Sequence, residues 1–268
     1  MSMNSAIAKL GRRLHLGVIG GGPGSFIGDV HRTAARIDDN YEIVASVLSS
    51  DAERSRAAGR QIGVAPERAY GTAAEMFESE ARRPDGMEVV AIMTPNDSHH
   101  ALCCAALERG LDIICDKPLT TNLPDALDLV QRVRKAGIVF CHTFNYTAFP
   151  MVRQARAMVD EGDIGDIRMV QVEYVQGHNA SLGPAERGDA AASWRMRPEK
   201  AGASLILGDI GSHAHHMACF VTGQQFARLC ADVRAVVPGR SADDYAGILF
   251  QLEGGAPGLM WVTQAGAG

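Results

Sequence analysis

Three side chains in this sequence could accept or donate a proton during the reaction of an alcohol. Lys117 follows a short apolar run, and Asp209 and His213 are four residues apart. On a helix, residues four apart lie on the same side. Removal of a hydride from an alcohol carbon requires a group that takes the hydroxyl proton, and a lysine or histidine of suitable pKa can do so. These three residues are therefore candidates for acid–base chemistry.

The first 140 or so residues alternate short apolar runs with longer amphipathic ones, a pattern typical of a parallel α/β sheet. The apolar runs predict strands at residues 14–19, 42–48, 87–93, 112–115 and 138–144. Lys117 stands just after the fourth run, at the carboxyl edge where open α/β sheets bind ligands. Thr94, Pro95, Asn96 and His99 follow the third run and belong to the same edge. The expected fold class is α/β, beginning with a doubly wound parallel sheet.

The pattern changes after about residue 146. Strands are predicted at 167–175, 229–237, 245–252 and 258–263, with helices near 150–161 and 211–221. We expect an α+β domain over 147–268 with a largely antiparallel, open sheet. The sequence stops shortly after the last predicted strand, which would leave a sheet edge uncovered. Either the chain is C-terminally short or a partner completes the sheet.

A glycine-rich loop follows the first strand and opens a helix, which is the setting that a dinucleotide requires. Glycine lets the backbone turn tightly and approach a pyrophosphate, while the helix N-terminus offers N–H groups to the phosphates. The best alignment of the fingerprint takes Gly20, Gly22 and Gly28 as its three glycines. The residues predicted to line the cofactor here are Gly20, Gly22, Gly24, Ser25, Phe26, Ile27 and Gly28. Residues 1–146 are therefore predicted to form a dinucleotide-binding Rossmann domain.

The residue at the end of the second strand is expected to contact the adenosine ribose of the cofactor. A carboxylate about 20 residues past the glycines favours NAD, but this position holds Ser49, followed by Ser50 and with Arg54 nearby. Serine and arginine could bind a 2′-phosphate, so NADP is favoured and NAD stays open. Asp51 could serve only to cap the next helix.

Composition excludes several other classes of protein. The net charge of −5 provides no basic face for nucleic acid, and no apolar run is long enough to cross a bilayer. The first 13 residues lack the apolar core of a signal peptide, so a cytoplasmic protein is expected. The six cysteines form no C-x-x-C pair and are expected to be free thiols. No metal is expected, because the histidines near His213 have no Cys or carboxylate set at ligand spacing.

Four ordered segments carry a resemblance to a known family. The sequence resembles the glucose–fructose oxidoreductase / inositol dehydrogenase / MocA family of NAD(P)-dependent oxidoreductases. The segments that carry the resemblance are, in order, LGVIGGG…IGDVHR, TPNDSH, CDKPLT with FNY, and LGDIGSHAHH. The resemblance implies a dehydrogenase acting on a secondary hydroxyl of a sugar or cyclic polyol. It also implies that His213 is the acid–base residue, that Lys117 holds the substrate hydroxyl and shares the proton transfer, and that Asp209 orients substrate or histidine.

The resemblance extends to other residues and to assembly. Expected cofactor neighbours are His31, Thr94, Pro95, Asn96, His99, Asp116, Lys117 and Asn145, and expected substrate neighbours are Tyr146, Trp194, Arg195, Asp209, His213 and His216. For His31, Asn145, Tyr146 and the Trp194–Arg195 pair, an ordinary structural role is the alternative. Family members form dimers or tetramers through the C-terminal sheet, so a homo-oligomer is expected.

This sequence departs from the family pattern in three respects. Asp116 replaces a glutamate before the lysine, and His216 replaces an aspartate three residues past the histidine. Members are also usually longer at the C-terminus. A dinucleotide-binding regulator without turnover is therefore the alternative function. A hydrolase or transferase is disfavoured, because no nucleophile is recognisable.

Overall fold

The five apolar runs of the first half form one parallel sheet. The computed structural model describes residues 5–183 and 194–266, and the chain divides into two compact units, Met1–Thr143 and Phe144–Gly268. The strands of the first unit are β1 (Leu14–Gly20), β2 (Tyr41–Val47), β3 (Val89–Met93), β4 (Asp112–Cys115) and β5 (Phe140–His142). Their order is β2-β1-β3-β4-β5, with every pair parallel. The predicted Rossmann-type sheet is confirmed.

A single bridge continues this sheet beyond β2. Ser46 pairs in parallel with Ala69, which lies where the next strand of a full dinucleotide-binding sheet would run. Strand order reverses between β1 and β3, and ligands bind outside the carboxyl ends of strands at such a switch point. The loops after β1 and β3 are therefore the expected cofactor cradle.

Both faces of the first sheet are covered. Its helices are α1 (Ser5–Leu10), α2 (Phe26–Ile37), α3 (Ala52–Gln61), α4 (Ala73–Glu80), α5 (His99–Leu107) and α6 (Leu123–Ala136). Along β3, Val90 and Ile92 join one buried cluster and Ala91 joins another, as the period of two in a strand requires. The cap predicted at Asp51 is confirmed, because its side chain accepts a hydrogen bond from a backbone N–H group in the first turn of α3, and Thr72 caps α4 in the same way.

The second unit has a mixed four-stranded sheet. Its elements are α7 (Pro150–Asp160), β6 (Val170–Val175), α8 (Pro198–Ala201), α9 (Ser212–Thr222), β7 (Phe226–Arg234), β8 (Tyr245–Leu252) and β9 (Pro257–Thr263). The order is β6-β9-β8-β7, with β8 antiparallel to both neighbours and β6 parallel to β9. The predicted, largely antiparallel sheet is confirmed, and the sequence pattern did not show that β6 pairs in parallel, because alternation defines the faces of a strand and not its direction.

The two faces of the second sheet differ. One face carries Ile248, Phe250 and Met260, which pack against buried residues that include Ile206 and Ile210. The opposite face leaves large apolar side chains in contact with solvent. All six cysteines are free thiols, as predicted. Among the residues described, no helix has the length and apolarity needed to traverse a bilayer.

Candidate active site

The loop between β1 and α2 leaves no room for side chains at Gly20, Gly21 and Gly22. Gly20 and Gly21 have φ angles of +82° and +63°, in the left-handed region that glycine adopts without strain. A Cβ at Gly20 would lie 2.6 Å from the carbonyl oxygen at the end of β3. A Cβ at Gly28 would overlap the carbonyl oxygen of Gly21, and one at Gly22 would overlap a backbone oxygen after β2. A loop this bare lets the backbone approach a diphosphate, so it fits a dinucleotide.

The helix after the loop begins at the right place for phosphate binding. Ser25 is the N-cap of α2, and its Oγ lies 3.5 Å from the backbone nitrogen of Gly28. Phe26 is exposed, while Ile27 is partly buried. The first N–H groups of a helix have no partner within the helix and carry partial positive charge, which favours anions. Gly24 adds a third positive φ of +85° just before this cap.

Arg32 supports this loop by hydrogen bonding, a role that the sequence analysis did not predict. Its buried guanidinium donates to the carbonyl oxygen of Gly21 at 2.5 Å and to Asp29 at 2.6 Å. The missed Gly21 is also part of the cradle, because it packs directly against Gly28. A basic residue in the second turn of the helix of a glycine fingerprint was the available signal.

The end of β2 presents hydroxyl groups and one exposed guanidinium. Ser49 Oγ accepts from the backbone nitrogen of Asp51 at 3.1 Å, and Asp51 accepts from that of Arg54 at 2.8 Å. Ser50 and Arg54 are exposed. Arg56, the other arginine nearby, pairs with Glu75 at 2.8 Å. Within the described ranges, Arg54 makes no ion pair of its own.

His99 lies beneath the loops of the carboxyl edge rather than on their surface. The ring is fully buried, with Nδ1 2.9 Å from the carbonyl oxygen of Pro118 and Nε2 2.9 Å from that of Thr94. It therefore joins the loop after β3 to the loop after β4. Asn96 is also buried, and Pro95 precedes it in the same loop. The predicted cofactor role of His99 thus changes from direct contact to support of the two loops.

Hydrogen bonds to Asp116 hold the chain just after β4. Asp116 Oδ1 lies 2.9 Å from Nε2 of His31 and accepts from Thr143 Oγ1 at 2.8 Å. Lys117 follows, partly buried, with a cis peptide bond to Pro118. The contact between His31 Nε2 and Asp116 fits the structural alternative for His31, and its contact with the cofactor stays a prediction. Thr143, at the end of β5, was missed because it lies 27 residues away in sequence.

In the second unit, His213 lies among aromatic side chains. It is 8% exposed, and its ring centroid is 4.8 Å from that of Tyr146 and 5.5 Å from that of Phe144, both edge-on. The hydroxyls of Tyr146 and Tyr174 are 2.5 Å apart. Burial and this hydrogen bond raise the pKa of Tyr174 above its usual range. Tyr146 is thus held beside the imidazole by a residue that the sequence reasoning had not selected.

His216 and Asn145 occupy different environments. His216 stacks on Phe144 with centroids 4.1 Å apart. Burial, and then the neighbouring His215, lower the pKa of His216, which favours the neutral ring. Asn145 is exposed in the short 3₁₀ turn Asn145–Ala148. His216 therefore replaces the family's aspartate with a neutral aromatic ring.

Asp209 lies in a wide helical turn, Leu207–Gly211, that runs directly into α9. The helix predicted from residue 211 therefore begins earlier, and π turns of this kind are frequent at functional sites. One carboxylate oxygen accepts from Gln264 Nε2 at 2.6 Å, and the other is 4.0 Å from Arg195 Nε. Arg195 lies over the ring of Trp194 at 4.7 Å. The structure thus brings together three predicted residues and adds Gln264.

The chain matches two family descriptions in succession. Residues 14–144 match "Oxidoreductase family, NAD-binding Rossmann fold", and residues 152–268 match "GFO/IDH/MocA C-terminal domain". A solved inositol dehydrogenase homolog from Azotobacter vinelandii, complexed with NAD+, has a TM-score of 0.92 at 36% identity. The alignment covers 100% of this chain and 68% of that one. The chain belongs to the Gfo/Idh/MocA family.

Two curated relatives add to this comparison. The uncharacterized oxidoreductase YfiI of Bacillus subtilis is 36% identical over 97% of this chain and 66% of its own length. Levoglucosan dehydrogenase of Pseudarthrobacter phenanthrenivorans is 30% identical over 85% of this chain and 56% of its own. This Gfo/Idh/MocA chain therefore spans between 56% and 66% of the curated relatives it matches. The resemblance found in the sequence is confirmed, and the first unit is an NAD-binding Rossmann domain.

Proposed function

We propose that the chain belongs to an NAD(P)-dependent dehydrogenase that acts on a secondary hydroxyl, or the matching ketone, of a sugar or cyclic polyol. One observation carries this proposal. The bare glycine loop, the Thr94 loop and Lys117 follow three adjacent strands, β1, β3 and β4, at one carboxyl edge. A nucleotide cradle beside a lysine is the arrangement that oxidation of an alcohol needs.

In the proposed mechanism, side chains of the protein take up the hydroxyl proton, and the cofactor takes up the hydrogen of the alcohol carbon. When bound, NAD(P) would supply the acceptor for the hydrogen on the alcohol carbon. His213 takes the hydroxyl proton, and Lys117 donates a hydrogen bond to the same oxygen and shares the proton. Asp209 orients the substrate or His213. Trp194 and Arg195 lie beside Asp209, where a ring can pack on a sugar and a guanidinium can bond its hydroxyls.

An absorbance assay tests this function. Purified protein is incubated with NAD+ or NADP+ and a panel that includes myo-inositol, levoglucosan, aldoses and acyclic polyols. Growth of the reduced-nicotinamide band with at least one cyclic polyol or sugar is expected. Tight nucleotide binding without turnover on any member of the panel would favour the alternative, a regulator that has kept the dinucleotide fold.

The choice between the two cofactors depends on Arg54. The solved Azotobacter vinelandii relatives are described with NAD+ and NADH, whereas Ser49 and Arg54 in this chain can accommodate a 2′-phosphate. We therefore propose that the protein accepts both forms and that Arg54 contributes mainly to NADP binding.

Replacement of Arg54 by alanine should raise the Kd for NADPH about tenfold, equivalent to roughly 1.4 kcal/mol. The Kd for NADH should stay within about twofold. Fluorescence titration of both reduced cofactors measures this difference. Arg60→Ala, an exposed position on the same helix, is the control. Equal weakening of both cofactors would show that Arg54 does not read the 2′-position.

We propose that the outward face of the second sheet joins copies of the chain into a homodimer or homotetramer. Leu249 is 60% exposed and Trp261 is 42% exposed, and Leu259, the cross-strand partner of Leu249, is also exposed on this face. Apolar patches of this kind mark interaction surfaces. A symmetric assembly buries the same patch on both copies.

Trp261→Glu should convert the oligomer to monomer, because it places a charge in an apolar contact. Light scattering after size-exclusion chromatography gives the mass of each species. Leu127→Glu introduces the same charge at an exposed apolar position on α6 and should leave the oligomer intact. An unchanged mass for Trp261→Glu would exclude this face as the interface.

A further inference from the structure

Gln264 follows β9 directly and is completely buried, although it is a polar residue. Its Nε2 donates to Asp209 Oδ2 at 2.6 Å and lies 3.4 Å from Gln176 Oε1. Its Oε1 accepts from Asn179 Nδ2 at 2.9 Å. We propose that Gln264 is the positioning residue for Asp209, an inference that rests on the proposed function because it takes Asp209 as part of the catalytic set.

The three contacts determine which way the amide of Gln264 points. An amide has a donor end and an acceptor end, and the assignment follows from its hydrogen-bond partners. Rotation of the amide by 180° would place its oxygen against the Asp209 carboxylate and its nitrogen against the Asn179 amide nitrogen. Both contacts would then be unfavourable in a buried environment. Asn179 therefore holds the Gln264 N–H towards Asp209.

The backbone around Gln264 is also held at both ends. Its N–H donates to the carbonyl oxygen of Asp244, and its own carbonyl accepts from the backbone nitrogen of Asn179. Arg240 donates to the carbonyl oxygen of Asn179 at 2.7 Å and pairs with Asp244 at 2.8 Å, in a fully buried ion pair. The amide is thus attached to a rigid frame rather than to a flexible chain end.

This frame determines the orientation of the Asp209 carboxylate. With Oδ2 held by Gln264, rotation of the carboxylate about its last side-chain bond would break a charge-assisted hydrogen bond. The other oxygen, Oδ1, is 4.0 Å from Arg195 Nε. A loss of the Gln264 N–H should therefore misplace Asp209 for the reaction while leaving affinity for the cofactor unchanged.

Gln264→Glu tests the inference with almost no change in shape. The variant replaces the N–H donor with a carboxyl group that faces Asp209, and two carboxyls in contact hold a shared proton to higher pH. We expect kcat to fall at least about tenfold, with KM changed less than about threefold, and the acid limb of the kcat profile to move up by about one pH unit or more. Gln264→Leu should also lower kcat, with a smaller upward shift of the acid limb, because it removes the donor to the ionised carboxylate without adding a second carboxyl.

Gln131→Glu is the matched control, since it makes the same change at an exposed position on α6. It should leave kcat, KM and the pH profile as in the wild type. Folded Gln264→Glu and Gln264→Leu proteins with wild-type kcat and pH profile would overturn the inference. If Gln264→Glu does not fold, Asn179→Ala, which removes the group that orients the amide, must lower kcat in the same way, and a wild-type kcat would overturn the inference.

A second readout does not depend on turnover. Titration of the Asp209 carboxyl by ¹³C NMR, assigned with Asp209→Asn, should show a higher midpoint in Gln264→Glu than in the wild type. If the wild type converts no member of the substrate panel, the proposed function fails. The titration still decides whether Gln264 controls the ionisation of the Asp209 carboxyl. Identical midpoints would exclude that control.

Discussion

Replacement of His213 by alanine should reduce kcat by about 10² to 10⁴-fold, the usual contribution of a positioned acid–base residue. The imidazole is held edge-on between Phe144 and Tyr146 and is largely buried, so nothing else on α9 can take its place without moving the helix. Cofactor binding should persist, because the glycine cradle belongs to the first unit. Steady-state kinetics and NADH fluorescence titration measure the two effects separately.

His215→Ala provides the control for this result. His215 lies two residues further along the same helix, is exposed, and packs against Phe226 rather than against the aromatic residues around His213. Its removal should leave kcat within about twofold of the wild type, as expected for a surface position. A His213→Ala enzyme that retains wild-type turnover would remove the acid–base assignment, whatever the control shows.

Gly28→Ala should abolish measurable nucleotide binding, a loss of at least about 100-fold or 2.7 kcal/mol. A Cβ at this position would overlap the carbonyl oxygen of Gly21, so the loop and the start of α2 must separate. That movement removes both the close backbone approach and the helix N–H groups that a diphosphate requires. NADH fluorescence titration measures the loss, and circular dichroism reports whether the domain remains folded.

Gly110→Ala separates this steric effect from the general cost of replacing glycine. Gly110 has a φ of +66°, yet an added Cβ there would meet no atom within 4 Å. The substitution should cost about 1 kcal/mol of stability through backbone strain and leave nucleotide affinity unchanged. Unchanged NADH affinity in Gly28→Ala would contradict the assignment of the loop.

The first unit could be predicted closely from sequence because its signals are local. The glycine fingerprint lies next to its own strand and helix, and Asp51 lies next to α3, the helix that it caps. Each required only residues a few positions apart. Lys117 was selected as a candidate for the same reason, since it follows an apolar strand and precedes a proline in a short motif.

The supporting contacts could not be predicted, because they join distant parts of the chain. Gln264 and Asp209 are 55 residues apart, and Asp116 and His31 are 85 apart. Nothing in the local pattern at Gln264 distinguishes it from any polar residue after a strand. The parallel pairing of β6 with β9 was missed for a related reason, because strand direction depends on the path of the chain between the two strands.

In the proposed function Lys117 and His213 act on the same hydroxyl group, and a double-mutant cycle tests this proposal. Turnover is measured for Lys117→Ala, His213→Ala and the double variant, each with saturating cofactor. Residues that act as a unit give strongly non-additive losses. The double variant should therefore be about as slow as the slower single variant. Losses that multiply independently would contradict the account.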